Sequence, residues 1–313
     1  MSGALGVPET SEHLDGHDAR EAISQVHWQT LLKRAFQRLR TADGFSHARA
    51  SAFAFALLLV EGTIAVIGLA VAVGSPAFSR TVTAVAETIA PGPAGQLLTS
   101  AIRQAQEAAV EHQYTALTIG LVAALVTGTT AMGQFERSCN RVYGIDTDRP
   151  TAHKYGRALV LTVTIGLASA LATLTMVLGR PIAESIESSS LSILWLWGRW
   201  PLAVGVLVIA MTLLLKLSPN RRQPALSWLV YGAAISVTLI VAASLILAAF
   251  FWWSTTFGDT YGPLAGMIGL LLWCFAMAAA GLYGIAITAQ LESELAKRGL
   301  ELTVEAAETI LTR

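Results

Sequence analysis

Charged residues are scarce in this 313-residue chain. Asp, Glu, Lys and Arg make up 13% of it, about half the share of a typical soluble domain, while 54% of its residues are hydrophobic. That balance excludes an ordinary water-soluble globule. The 21 basic and 21 acidic residues leave no net charge, so no bulk field draws in nucleic acid. Cysteine is nearly absent: Cys139 and Cys274 form no framework, and a bridge between them is implausible. Paired-cysteine motifs, a nucleophile elbow and a phosphate-binding glycine loop are all missing. His13 and His17 lie in a polar N-terminal stretch, and His153 stands near Asp146 and Asp148 without the spacing of metal ligands. No catalytic residue, metal or cofactor is therefore expected, and the chain does not read as an enzyme. Residues 1–19 are polar, with Glu9, Glu12, Asp15 and Asp18. No signal peptide is expected, and the first apolar run serves as an uncleaved insertion signal.

What the chain has in abundance is long apolar runs. Six of them, roughly 50–74, 115–134, 158–178, 201–217, 225–252 and 263–290, each come close to the ~20 residues a helix needs to cross a ~30 Å hydrocarbon core. Basic residues alternate between the slices that separate the runs. Seventeen of the 21 Lys and Arg fall before the first run, after the second, after the fourth and after the last; four fall on the other slices. An odd number of spans would break this alternation. The positive-inside bias predicts a multi-pass protein of the bacterial inner membrane, with both termini cytoplasmic. The predicted fold is all-α: six transmembrane helices, an N-terminal interfacial amphipathic helix and an extracytoplasmic helical hairpin.

The expected divisions are a disordered cytoplasmic tail over 1–19, a cytoplasmic interfacial helix over 20–48, a membrane domain over 49–292 and a C-terminal helix or tail over 293–313. In the interfacial helix, Trp28, Leu31, Leu32, Ala35, Phe36 and Leu39 follow the helical stripe, with Lys33, Arg34, Arg38 and Arg40 on the other faces. Such a helix either lies along the inner membrane surface or packs on the cytoplasmic end of the bundle. The first outer loop, 75–114, is too long for a simple connection. Pro91-Gly92-Pro93 breaks it into two helical halves, forming a hairpin that caps the bundle or gates a cavity. Trp195, Trp197, Trp200, Trp252, Trp253 and Tyr261 fall at outer ends of spans, as membrane anchors should. Along the last span Gly262 and Gly266, then Ala276, Ala280 and Gly284, repeat at four-residue spacing, which permits close helix packing.

One ionisable side chain falls deep in a span. Glu61 lies midway along the first run, where a charged carboxylate costs at least ~2.5–3.5 kcal/mol, so it should face the bundle interior. Thr129, Thr130 and Tyr231 are candidate neighbours in a midplane cavity or proton relay. The alternative is a neutral acid hydrogen-bonded between helices. Arg137, Arg141, Arg149 and Lys154 satisfy the positive-inside rule and are candidates for anionic phospholipid head groups.

Three segments resemble the signature of the YihY/BrkB family of bacterial inner-membrane proteins. They are Phe135-Glu136-Arg137-Ser138-Cys139-Asn140-Arg141-Val142-Tyr143-Gly144-Ile145 with Asp148-Arg149-Pro150, then Leu217-Ser218-Pro219-Asn220, then Phe257 to Gly266 leading into a span with Trp273. The resemblance covers about residues 25–293. It implies six transmembrane helices and cytoplasmic termini. The family's function is poorly defined: a ribonuclease label is regarded as mistaken, a virulence-factor label persists, and transport or envelope lipid handling has been suggested. This chain departs from the family pattern at Ala56 to Gly62, which carries Glu61 in place of an aromatic-rich run, and at Gln290, where an acidic residue is usual and Glu292 stands close by. An interfacial setting for the signature would let Phe135, Val142 and Tyr143 dip into the membrane while Arg137 and Arg141 reach phosphates. Asn140 is expected to hydrogen-bond an adjacent loop.

Three functional expectations follow. The first is a transporter or lipid-handling protein with a cavity near Glu61, whose partners are the bilayer, anionic head groups and an unidentified small-molecule or lipid substrate. The second is a non-transporting scaffold. The third, a membrane-bound ribonuclease, requires a cytoplasmic carboxylate–metal cluster.

Overall fold

The computed structural model describes residues 6–8, 14–25, 27–73, 93–177, 179–186, 188–254, 261 and 263–311. Among these, nine helices form and no strand does: α1 Gly16–Gln25, α2 Trp28–Thr41, α3 Gly44–Val73, α4 Pro93–Tyr143, α5 Thr151–Val177, α6 Gly179–Ser185, α7 Ser189–Leu217, α8 Leu226–Trp253 and α9 Pro263–Leu311. Six are long and apolar enough to cross a bilayer, namely α3, α4, α5, α7, α8 and α9. All six expected runs are helical. The helices outlast the runs because backbone hydrogen bonding continues where polar side chains replace apolar ones.

Two expected breaks are absent. The second limb of the 75–114 hairpin begins at Pro93, a favoured first helical position. It then continues without interruption through Tyr143, because no proline and no closely spaced glycines follow Gly95 until Gly120. At ~1.5 Å per residue this helix is about 76 Å long, more than twice the hydrocarbon core. The first limb lies outside the described residues. Ile193 to Trp197, expected in the second outer loop, instead belongs to the first turns of α7, which carries Pro201 internally.

The helix α9 is the hub. It packs against α8, α4, α3 and α2, and 61% of its span is buried, against 17–33% for the other five. At its centre Gly284 meets α8 at Gly232, where an added Cβ would stand 2.7 Å from the Gly284 carbonyl oxygen. This is the close packing that the small-residue spacing predicts. A second close approach joins α3 and α4, since a Cβ on Gly120 would lie 2.7 Å from the Ala65 nitrogen.

Burial is uneven along the bundle axis. The larger core, with Phe135, Tyr143, Leu215, Trp228, Leu282 and Ile285, sits at the end where the basic loops gather. A smaller cluster of Ala52, Ala56, Leu247, Leu270, Trp273 and Cys274 joins α3, α8 and α9. At the far end Trp197, Trp200, Trp252 and Trp253 are exposed, as an anchoring belt requires. The residue Trp195 instead donates its indole N–H to the Gly179 carbonyl at 3.0 Å.

The stripe of α2 turns Leu31, Ala35 and Leu39 into the core, while Trp28 and Phe36 stay exposed. This helix packs on the basic end of α9, and the Tyr283 hydroxyl donates to the Leu32 carbonyl at 2.9 Å. A two-residue elbow, with Asp43 at φ 54°, joins α2 to α3; the short Asx side chain tolerates that left-handed conformation. The expected featureless tail over 1–19 differs where residues are described. Helix α1 packs along α8, Ala225 donates its N–H to the Leu14 carbonyl at 3.1 Å, and Val7 donates to the Tyr143 carbonyl at 3.2 Å. Its alanines Ala19 and Ala22 are small enough for close seating, which a count of polar residues does not register.

Candidate functional site

At the basic end α4, α7 and α9 and the two loops 144–150 and 218–225 close around a polar network. Tyr143 is 1% exposed, and its hydroxyl lies 3.0 Å from Glu292 Oε1, 3.1 Å from Gln223 Oε1 and 3.3 Å from Thr288 Oγ1. The Arg221 guanidinium stacks 4.6 Å from the centroid of the same ring and donates to Glu292 Oε2 at 2.9 Å. It also donates to the Pro8 carbonyl at 3.1 Å. Both partners of the Arg221–Glu292 pair are buried, their side chains 2% and 0% exposed. A buried ion pair survives only when neighbouring dipoles satisfy what remains of its hydrogen-bonding capacity, and Tyr143 supplies part of that. Beside it, Arg38 of α2 donates to Gln290 Oε1 at 3.1 Å and to the Val142 carbonyl at 3.2 Å. Burial draws the Arg38 pKa down, opposed by the fields of Tyr143, Glu292 and Glu294; a guanidinium remains protonated all the same.

A second half of the network holds the loops. Gly144 at φ 73° ends α4, with Ile145 N–H on the Asn140 carbonyl at 2.9 Å and Gly144 N–H on Arg141 at 3.1 Å. This left-handed glycine cap turns the chain back on itself. Arg149 then reaches Glu136 Oε2 at 3.0 Å and donates to the carbonyls of Leu217, Ser218 and Pro219. It thereby satisfies the orphan acceptors at the C-terminus of α7. Asn140 accepts from the Asn220 backbone N–H at 2.7 Å and donates to Asp148 at 3.0 Å, so it bonds the adjacent loop as expected. Lys154 lies 2.7 Å from Asp148 and Arg137 3.2 Å. Burial alone would raise the Asp148 carboxyl; the hydrogen bonds from Lys154, Asn140 and Arg137 outweigh it and hold the group below its ordinary value.

The apolar residues of the first signature segment therefore belong to a protein core and not to a membrane-dipping surface. Phe135, Val142 and Tyr143 are buried at 2%, 0% and 1% exposure. They turn inward because the network needs an apolar jacket that α9 and the two loops supply. Of the four head-group candidates, Lys154 is buried and Arg149 partly buried in ion pairs, whereas Arg137 and Arg141 stay about half exposed and pair with Asp148 and Asp146.

Among the described residues Glu61 Oε2 has no hydrogen bond to Thr129, Thr130 or Tyr231. Leu58 and Ala65 face α4 at Gly128 and Gly120, and Glu61 shares their helical stripe. Its side chain is half-buried, and Oε2 is buried without a hydrogen-bond partner among the described residues. The Thr130 hydroxyl is turned to the Val126 carbonyl of its own helix at 2.9 Å; Thr129 is half-buried one residue before it. Tyr231 lines a different space, a cavity of about 400 Å³ between α1, α2, α8 and α9. Measured from the basic end, Tyr231 is about 8 Å along α8 and Glu61 about 26 Å along α3, at ~1.5 Å per residue. Sequence reading missed Arg221, Gln223, Thr288 and Glu292 as a group. Glu292, an acid at the edge of the last apolar run, was the available signal. Among the described residues no group of three or more His, Cys, Asp or Glu could hold a metal ion.

Six apolar helices, one of them the buried hub, define a polytopic α-helical integral membrane protein. Its residues 35–307 match the model of the family described as Virulence factor BrkB, and the chain belongs to that family. It is 25% identical over 251 residues to a Bacillus subtilis (strain 168) protein named "Putative ribonuclease-like protein YfkH", a match covering 79% of this chain and 89% of that one. No solved structure matches.

Proposed function

We propose that this chain is a transporter or envelope lipid-handling protein of the bacterial inner membrane, with its basic end and both termini in the cytoplasm and Glu61 as the working group inside the bilayer. One observation carries this reading: a carboxylate oxygen buried within a span without a hydrogen-bond partner. An unsatisfied polar atom at such a depth costs on the order of 1–3 kcal/mol. A fold retains such a cost most readily where a proton or a polar ligand visits the group. Its flanking helix contacts, Leu58 three residues before it and Ala65 four after, favour a position at the α3–α4 seam, where a small relative movement of the two helices would uncover it.

The substitution Glu61→Gln keeps shape and removes the titratable proton. Expected is loss of transport, or of the envelope phenotype that a deletion strain shows, with unchanged expression and melting temperature. Full complementation by Glu61→Gln would end the relay reading.

A second reading, a scaffold without transport, is favoured by the tight contacts that Gly120 and Gly128 make with α3 on either side of Glu61. In that case Glu61→Leu would raise stability and leave every phenotype intact. The ribonuclease name belongs to the Bacillus relative; RNA cleavage by the purified chain with added magnesium or zinc would bring it here.

A further inference from the structure

The 400 Å³ cavity at the basic end is lined by Ile23 of α1, Trp28 of α2, Tyr231 and Ile235 of α8, and Ile287 and Leu291 of α9, among others. Its size falls within the ~300–1,000 Å³ of sites that hold small molecules. Apart from the Tyr231 hydroxyl, the Trp228 indole N–H, which has no hydrogen-bond partner among the described residues, and the Thr288 hydroxyl, which the Ile285 carbonyl and Tyr143 already engage, the lining is apolar, and apolar cavities hold little water. The space therefore suits hydrocarbon. Its depth suits hydrocarbon too: along α8 its lining runs from Trp228 to Ile235, about 3 to 14 Å inside the basic end, beneath an amphipathic helix, where head groups give way to acyl chains. Trp28 lines it while remaining 61% exposed, the posture of an interfacial anchor.

Charge says which lipid. Helix α2 carries Lys33, Arg34, Arg38 and Arg40 and no acidic residue. Arg34 is tied to Glu294 and Arg38 is buried, while Lys33 and Arg40 are exposed on the side away from the core. We infer that this cavity holds one acyl chain of an anionic phospholipid, whose head group lies over the cationic surface of α2. The inference deepens the lipid-handling half of the reading above by naming a lipid class and its seat. It does not depend on Glu61.

The test places the full chain in nanodiscs of equal phosphatidylglycerol and phosphatidylcholine, then counts retained lipids by native mass spectrometry after transfer to detergent. Expected is one phosphatidylglycerol per chain, preferred over phosphatidylcholine by about thirtyfold, as two exposed cations near a surface predict. The variant Ala234→Trp fills the cavity and loses the lipid. The pair Lys33→Gln with Arg40→Gln keeps a lipid but loses the preference. Glu61→Gln keeps both, so failure here and failure of the relay are separable. Wild-type chain that retains no lipid, or shows no head-group preference, overturns the inference, as does Ala234→Trp with wild-type retention. Should Ala234→Trp not fold, wild-type chain photolabelled with phosphatidylglycerol bearing an acyl-chain diazirine decides: labelling within α2 or residues 228–235 supports the seat, and labelling confined elsewhere removes it.

Discussion

Arg221 and Glu292 neutralise each other's charge where water cannot, because both side chains are almost wholly buried. Removing one partner strands a charge. The variant Arg221→Met is expected to lose about 3–5 kcal/mol of stability, and Glu292→Leu added to it should restore most of that loss. Thermal unfolding of the purified protein in detergent checks both; a double variant no more stable than the single one would show that the pair is not the energetic unit. The Asp148 carboxyl makes a pH prediction. Its pKa is held below the ordinary value by Lys154, Asn140 and Arg137 against the opposing effect of burial. A depressed carboxylate contributes stability that is present above its unfolded pKa, near 3.9, and is lost as the pH falls through the folded value. Wild type should therefore exceed Asp148→Asn in melting temperature at pH 6–8, and the gap should close below about pH 4. At this scale little was legible in advance. Tyr143 and Arg149 stood inside the family signature, yet the Tyr143 partners lie 80 and 149 residues away in the chain, and periodicity does not reach across such separations.

Among the elements, the cap of α4 carries a sharp prediction. Gly144 at φ 73° starts the turn that delivers Asp148 and Arg149 to the network. Placing a Cβ in the left-handed region costs roughly 1–2 kcal/mol, so Gly144→Ala should lower stability by that amount, read again from thermal unfolding. The substitution Gly144→Asn should cost less, since Asx residues tolerate this conformation. Helix existence was readable from apolar runs, because a segment in hydrocarbon has no partner for its backbone except itself. Helix length was not. The merger of 93–116 with the second span reflects an absence of breakers, since polar residues such as Arg103, Gln106 and Glu107 do not interrupt a helix.

At the scale of the molecule, the uneven distribution of Lys and Arg predicts an orientation with the basic end in the cytoplasm. Single cysteines at Ser188 and Arg222, both exposed and on opposite ends of α7, test it against the buried background of Cys139 and Cys274. A membrane-impermeant maleimide applied to intact cells should label Ser188→Cys and spare Arg222→Cys; the reverse pattern would invert the proposed topology. The sequence by itself determined that six helices cross the bilayer, because the length and polarity of each segment are local properties settled by transfer between water and lipid. Tertiary structure alone decided that α9 is the hub, that the signature's Tyr143, Asn140 and Arg149 turn inward to lock two loops, and that a cavity opens beneath α1 and α2. Those outcomes depend on which faces meet. In a chain whose helices are apolar nearly all round, no stripe along a single helix announces the face that will be buried.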